Sequence, residues 1–213
     1  LLQASRSIRI TWLLEELSLP YKSIFFPREN NKAPSAFKSE SGSKLGKAPC
    51  LKDGGLMIGE SGAITEYLIE KYDKKNRMMG GNDEAKRNRI RTFVHAAEGT
   101  FLIHALAVTY ARWFSLESVK SSGELKELEK GLAINVGKDL GWLDAELEVK
   151  KFISGDSVSA ADTMCLFSVQ FIFARDLCAG RKVGEWRNVE RWIKECESTE
   201  SWKRAVTKTG HEM

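Results

Sequence analysis

The sequence predicts a small α/β unit followed by an all-helical half. Three observations carry that expectation. Two short apolar runs split by Asp53-Gly54-Gly55 read as a β-hairpin set between amphipathic helices. From Ile90 onward every apolar stripe repeats at helical spacing. A charged, glycine-containing stretch from Asp73 to Asp83 divides the two regimes, so the expected domains are residues 1–74 and 83–213.

Ser5 to Leu17 is the first helix, with Ile10, Leu13, Leu14 and Leu17 at i, i+3, i+4 and i+7. Ser5 or Ser7 caps its start, and Pro20 follows its end. Tyr21 to Phe26 is a short strand. The polar stretch Asn30 to Gly46 holds a brief helical turn around Ser35 to Ser39. Pro49 to Lys52 and Leu56 to Ile58 form the hairpin, and Ser61 to Tyr72 is a helix burying Ile64, Tyr67, Leu68 and Tyr72. This order fits a thioredoxin-like βαβ…ββα unit, with Leu1 to Gln3 as the remnant of a truncated first strand.

In the second half Ile90, Phe93, Val94, Ala97 and Phe101 form one stripe, continuing to Ala105 and Val108. Leu125, Leu128, Leu132, Val136, Leu140, Leu143 and Leu147 form another. Ala161 to Cys178 is apolar nearly all round, which marks a buried central helix. Ser159-x-x-Asp162 before it has the pattern of a capping box, a stabilising feature rather than a substrate contact. Trp186 to Cys196 and Thr199 to Lys208 complete an all-α bundle.

Composition excludes several function classes. The net charge of +4 comes from Lys and Arg interleaved with Asp and Glu, not from a block that would grip nucleic acid. The longest apolar run, Leu166 to Ala174, falls far short of the roughly 20 residues of a membrane span. Cys50, Cys165, Cys178 and Cys196 show no paired or CxxC spacing, which reads as core cysteines of a reducing, cytoplasmic compartment. His95 and His104 are nine residues apart on one helix and face opposite sides, so no metal is expected.

The chemistry-bearing run is Lys47-Ala48-Pro49-Cys50-Leu51, followed after the hairpin by Gly59-Glu60-Ser61. Pro49 lacks an N–H for a ladder and belongs at a strand's first residue or in a cis turn. A cis bond would turn the Ala48 backbone groups outward, where an extended peptide pairs as an added strand. Glu60 and Ser61 stand at the positive end of the next helix, which favours a carboxylate. Together they suggest a site for a small, charged peptide. Cys50 beside the proline reads as core filler, since it has no partner cysteine.

These pieces resemble the cytosolic glutathione transferases. The nearest likeness is to a fungal and bacterial serine-type subgroup beginning S-R-S-x-R-I-x-W-L-L-E-E-L, matched by Ser5 to Leu17. Gly46-Lys47-Ala48-Pro49-x-Leu51 and Glu60-Ser61 match that family's glutathione site. Ala97-Glu98-Gly99-Thr100 resembles the subgroup's fourth helix, and Phe152 to Asp162 its hydrophobic staple and capping box. The family's Asn-Pro or His-Pro pair is replaced by Ser43-Lys44, and the Ser39 to Lys44 loop looks longer.

The resemblance implies glutathione as co-substrate, held by Lys47, Ala48, Pro49, Glu60 and Ser61, with no metal. It implies conjugation of the glutathione thiolate to hydrophobic electrophiles in detoxification, by a cytoplasmic homodimer. Glu98, Phe101, His104 and Trp113 lie on the helix that lines the family's electrophile pocket and dimer face, and Glu98 is a candidate to reach the partner's glutathione. More apolar surface than one bundle needs is expected over Ile90 to Phe101. A hydroxyl and a helix N-terminus both favour a thiolate, so Ser5, Ser7 or the backbone amides alone are the candidate stabilisers. A glutathione-dependent peroxidase or disulfide reductase, and a non-catalytic binding module, remain as alternatives on the same fold.

Overall fold

The computed structural model describes every residue except Leu1, Gln3, Ala4, Asn31 and Lys44. Helix α1 (Ser7–Glu16) is buried along nearly its whole length, including Ile8, Ile10, Trp12, Leu13 and Leu14. A helix buried on all sides is a central element. Its neighbours are α3 (Ser61–Tyr72) from the first half, and α8 (Ala160–Ala174) and α10 (Glu200–Thr209) from the second.

Between α1 and α3 come α2 (Ser35–Ser41), β1 (Cys50–Asp53) and β2 (Leu56–Gly59). The α2 helix is longer than the expected turn and stops at Gly42, whose φ of 65° suits glycine. β1 and β2 pair antiparallel with Asp53 opposite Leu56, so Gly54-Gly55 is a two-residue turn. In the expected strand Tyr21 to Phe26, Phe26 pairs parallel with Leu2 among the described residues. The truncated-strand expectation for Leu1 to Gln3 falls mostly outside the described residues.

Helix α3 buries Ile64, Leu68 and Ile69, while Tyr67 and Tyr72 are only half-buried. Their hydroxyls explain the difference, because each donates to Asp53 Oδ2, at 2.9 and 2.5 Å. A buried phenol needs a polar partner, and here the partner sits at the hairpin edge.

The second half opens with α4 (Glu84–Ala96), capped by Asp83 accepting from Lys86 N–H at 2.9 Å. It runs through a π-helical stretch, Ala97–Leu102, into α5 (Ile103–Phe114). Such stretches are rare and concentrate at functional sites. Here Ser168 Oγ on α8 donates to the Ala97 carbonyl at 2.9 Å. Then follow α6 (Glu117–Ser122), α7 (Glu124–Glu146), α8 and α9 (Arg187–Ser198). Ser159 and Asp162 form the expected capping box. Asp162 also accepts from Ile153 N–H and Trp192 Nε1, so a fully buried carboxylate is saturated. The α8 helix ends at Ala174 rather than Cys178, with Asp176 at φ 50° breaking it.

The Ile90 to Phe101 stripe is not surplus surface. Ile90, Phe93, Val94, Ala97 and Phe101 are all buried in the bundle core, and Phe93 and Phe101 stack with Trp142. Among the described residues no helix is long and apolar enough to cross a membrane.

Candidate functional site

The Ala48–Pro49 peptide is cis, and Pro49 is buried. Among the described residues the Ala48 N–H and C=O have no backbone partner. That leaves one unpaired donor and acceptor beside β1, the requirement for an added strand. Lys47 is exposed, its ammonium without a partner among the described residues, and its carbonyl accepts the Cys50 S–H.

Glu60 precedes α3 with φ 65° and ψ 120°. A side chain at positive φ with this ψ is held against a cost of order 1–3 kcal/mol, and such strain clusters at ligand sites. Its carboxylate is exposed, whereas Ser61 beside it is 3% exposed. Ser61 Oγ accepts from Arg9 Nη1 at 3.0 Å, which leaves its hydroxyl proton available to a ligand oxygen. Its amide opens a twelve-residue helix, so donors and dipole point the same way.

Arg9 is not among the residues that the sequence singles out. Its guanidinium is wholly buried and joins four elements. It donates to Ser61, to Glu98 in the π-helical stretch, and to Ser168 Oγ at 2.7 Å, and lies 5.4 Å from the centre of the Phe167 ring. Burial pushes the Arg9 pKa down and the Glu98 carboxylate offsets that. Arg6 Nε donates to the same Glu98 oxygen at 2.5 Å. Glu98 is thus bound by two arginines of its own chain. The signal in the sequence was the pair of arginines at the start of α1 with an acid inside a glycine-containing helix.

Ser5 and Ser7, alternatives in the sequence, lie together. The Ser5 hydroxyl donates to the Leu2 carbonyl at 2.6 Å, and its oxygen accepts the Ser7 N–H at 3.3 Å. The two hydroxyls are 2.9 Å apart. The N-cap position of α1 is Arg6, so neither serine caps the helix; the Ser5 oxygen meets the N–H of its first residue from one position further out.

Other candidates are placed elsewhere. Phe101 is core; His104 Nδ1 meets Asp139 Oδ2 at 2.6 Å between α5 and α7. Trp113 is 63% exposed near the end of α5. Cys50 is half-buried rather than core, and Cys165, Cys178 and Cys196 are buried. No group of three metal-ligating side chains exists among the described residues. A cavity of about 620 Å³ lies between α1, α2 and β1, touching Ile10, Leu14, Phe37 and Leu51. It shares Pro49 with the peptide site but includes none of Ser5, Glu60 or Ser61.

The N-terminal domain model of glutathione S-transferases matches residues 2–70, and the C-terminal domain model matches residues 106–200. The chain belongs to the glutathione S-transferase superfamily. Among its relatives, glutathione S-transferase 3 of Schizosaccharomyces pombe is 28% identical over 91% of this chain and 79% of that protein. Glutathione S-transferase D7 of Drosophila melanogaster is 33% identical over 68% of this chain and 59% of the fly protein. A crystal structure of a glutathione S-transferase from Actinobacillus pleuropneumoniae superposes with a TM-score of 0.81 at 25% identity, covering 99% of this chain and 91% of that one. The thioredoxin-like half followed by a helical half is the superfamily's fold, and glutathione is its substrate.

Proposed function

We propose that this glutathione transferase binds glutathione along Ala48 and Pro49 and stabilises its thiolate with Ser5, for attack on a hydrophobic electrophile. The observation that carries the reading is the strained Glu60 beside a Ser61 hydroxyl pinned by the buried Arg9. Glu60 accepts from the γ-glutamyl ammonium, while the Ser61 hydroxyl and amide donate to the neighbouring carboxylate. Lys47 takes the carboxylate at the glycine end. The extended tripeptide then brings its sulfur to the start of α1, where Ser5 stands. No covalent enzyme intermediate is needed; the protein supplies proximity and thiolate stabilisation.

Residues 1–74 form the glutathione-binding domain and residues 83–213 the domain that covers the electrophile. The assembly is a cytoplasmic homodimer acting in detoxification. Its apolar contact is supplied by α5, where Ile103, Tyr110, Trp113 and Phe114 lie exposed along one face. The four free cysteines suit a reducing compartment.

Retention on immobilised glutathione, followed by turnover with an aryl halide, a hydroperoxide and a mixed disulfide, tests the reading. Binding with aryl-halide turnover is the expected result. Binding without turnover of any of the three would reduce the protein to a binding module, and turnover confined to the hydroperoxide or disulfide would replace conjugation by reduction.

A further inference from the structure

In the sequence Ser5 and Ser7 are alternatives for one role, but their geometry makes them a series. A serine hydroxyl has one proton to give and two lone pairs to receive. The Leu2 carbonyl can only accept, so at 2.6 Å it takes the Ser5 proton. The Ser7 N–H can only donate, so at 3.3 Å it fills one Ser5 lone pair. The contact left is the 2.9 Å approach of the Ser7 hydroxyl, in which Ser7 must be the donor. Both serines are buried, at 8% and 3% exposure, so water does not compete freely for these positions.

We infer that Ser7 is a positioning residue that acts through Ser5, holding the Ser5 oxygen by two donors while the Ser5 proton turns from the Leu2 carbonyl to the bound thiolate. This rests on the proposed role of Ser5 as thiolate donor. The turn requires only rotation of the O–H bond, because the Ser7 N–H and O–H keep the oxygen in place. A hydroxyl that receives two hydrogen bonds is also a better donor in its third, since chains of hydrogen bonds polarise one another. Ser7, at the first position of α1, stays with the helix; Ser5 does the reaching. No bond other than hydrogen bonds is made or broken, and the thiol proton leaves to solvent.

The test is a double-mutant cycle read by ultraviolet titration of the glutathione thiolate on the full chain. Ser5→Ala is expected to raise the pKa of bound glutathione by one unit or more, and Ser7→Ala by about half a unit, the size of one neutral hydrogen bond. In the Ser5→Ala background, Ser7→Ala should add nothing, and Ser7→Thr in the parent, which keeps the hydroxyl, should leave the original pKa unchanged. A merely structural Ser7 would shift the melting temperature without this dependence on Ser5. If Ser5→Ala moves the pKa and Ser7→Ala does not, the series is overturned while the role of Ser5 stands. If Ser7→Ala moves it equally with or without Ser5, Ser7 touches the sulfur itself and the series is again overturned. If Ser5→Ala leaves the pKa unmoved, the proposed donor fails and the series with it. Should Ser7→Ala unfold the protein, Ser7→Cys replaces the hydroxyl by a weak donor of similar shape and reads the same cycle.

Discussion

Replacing Arg9 by methionine probes the junction that holds the proposed glutathione site to the bundle. The guanidinium has no exposed surface and makes hydrogen bonds to Ser61 and Ser168 of 3.0 and 2.7 Å. Bonds to a charged group contribute about 1.5–3 kcal/mol each, so these two give a gross loss of roughly 3–6 kcal/mol. The contact to Glu98 adds less, because that side chain is 40% exposed and keeps Arg6. Methionine fills much of the space and removes the burial of a charge whose Nε has no partner among the described residues, which returns part of the loss. The net expectation for Arg9→Met is about 2–4 kcal/mol of stability, or roughly 5–15 °C in melting temperature for a protein of this size. Ser61, released from its donor, should bind glutathione about tenfold more weakly, equivalent to about 1.4 kcal/mol. Calorimetric melting and titration calorimetry with glutathione read the two effects. A variant that melts within about 2 °C of the parent and binds glutathione unchanged would refute the argument that Arg9 couples the site to the bundle.

Glu60→Ala and Ser61→Ala should each weaken glutathione binding by roughly 10- to 150-fold, the loss of one charge-assisted contact, with turnover at saturation changed less; an unaltered dissociation constant for both removes them from the site. Trp113→Glu with Phe114→Glu should convert the proposed dimer to a monomer in sedimentation, and a parent already monomeric at all concentrations sinks the α5 interface. Three hydrogen bonds from Lys208, Tyr21 and Arg204 outweigh burial and hold Glu15 at about 2, below its usual 4.5. A depressed acid stabilises the fold above its unfolded value and loses that contribution on acidification, so the α1–α10 seam should weaken between about pH 4.5 and 2; Glu15→Gln should flatten that part of the stability–pH curve. Burial lowers His211 to about 4, beside Phe167 and Trp202. A base kept neutral by folding stabilises above its unfolded value near 6.5 and destabilises as pH falls toward 4. His211→Phe should remove that decline, measured by tryptophan fluorescence during titration.

Local regularities made much of this molecule legible. Ile10, Leu13 and Leu14 one turn apart specify α1, Gly54-Gly55 specifies the hairpin, and Ser159 with Asp162 specifies the start of α8, because each depends on residues within a few positions of one another. The cis turn that Pro49 allows and the place of Glu60-Ser61 at the start of α3 were readable for the same reason, since both depend on adjacent residues. Period alone misjudged Tyr67 and Tyr72, since a helix face does not reveal that Asp53 waits for both hydroxyls. The Arg9 junction lay furthest from view. Its partners Ser61, Glu98 and Ser168 are 52, 89 and 159 residues away, and a buried charge is stabilised only by groups that folding brings around it. The sequence by itself determined which residues become helix, hairpin and cap. The tertiary structure alone decided which distant side chains share a charge, because that follows from the path of the chain in space and not from spacing along it.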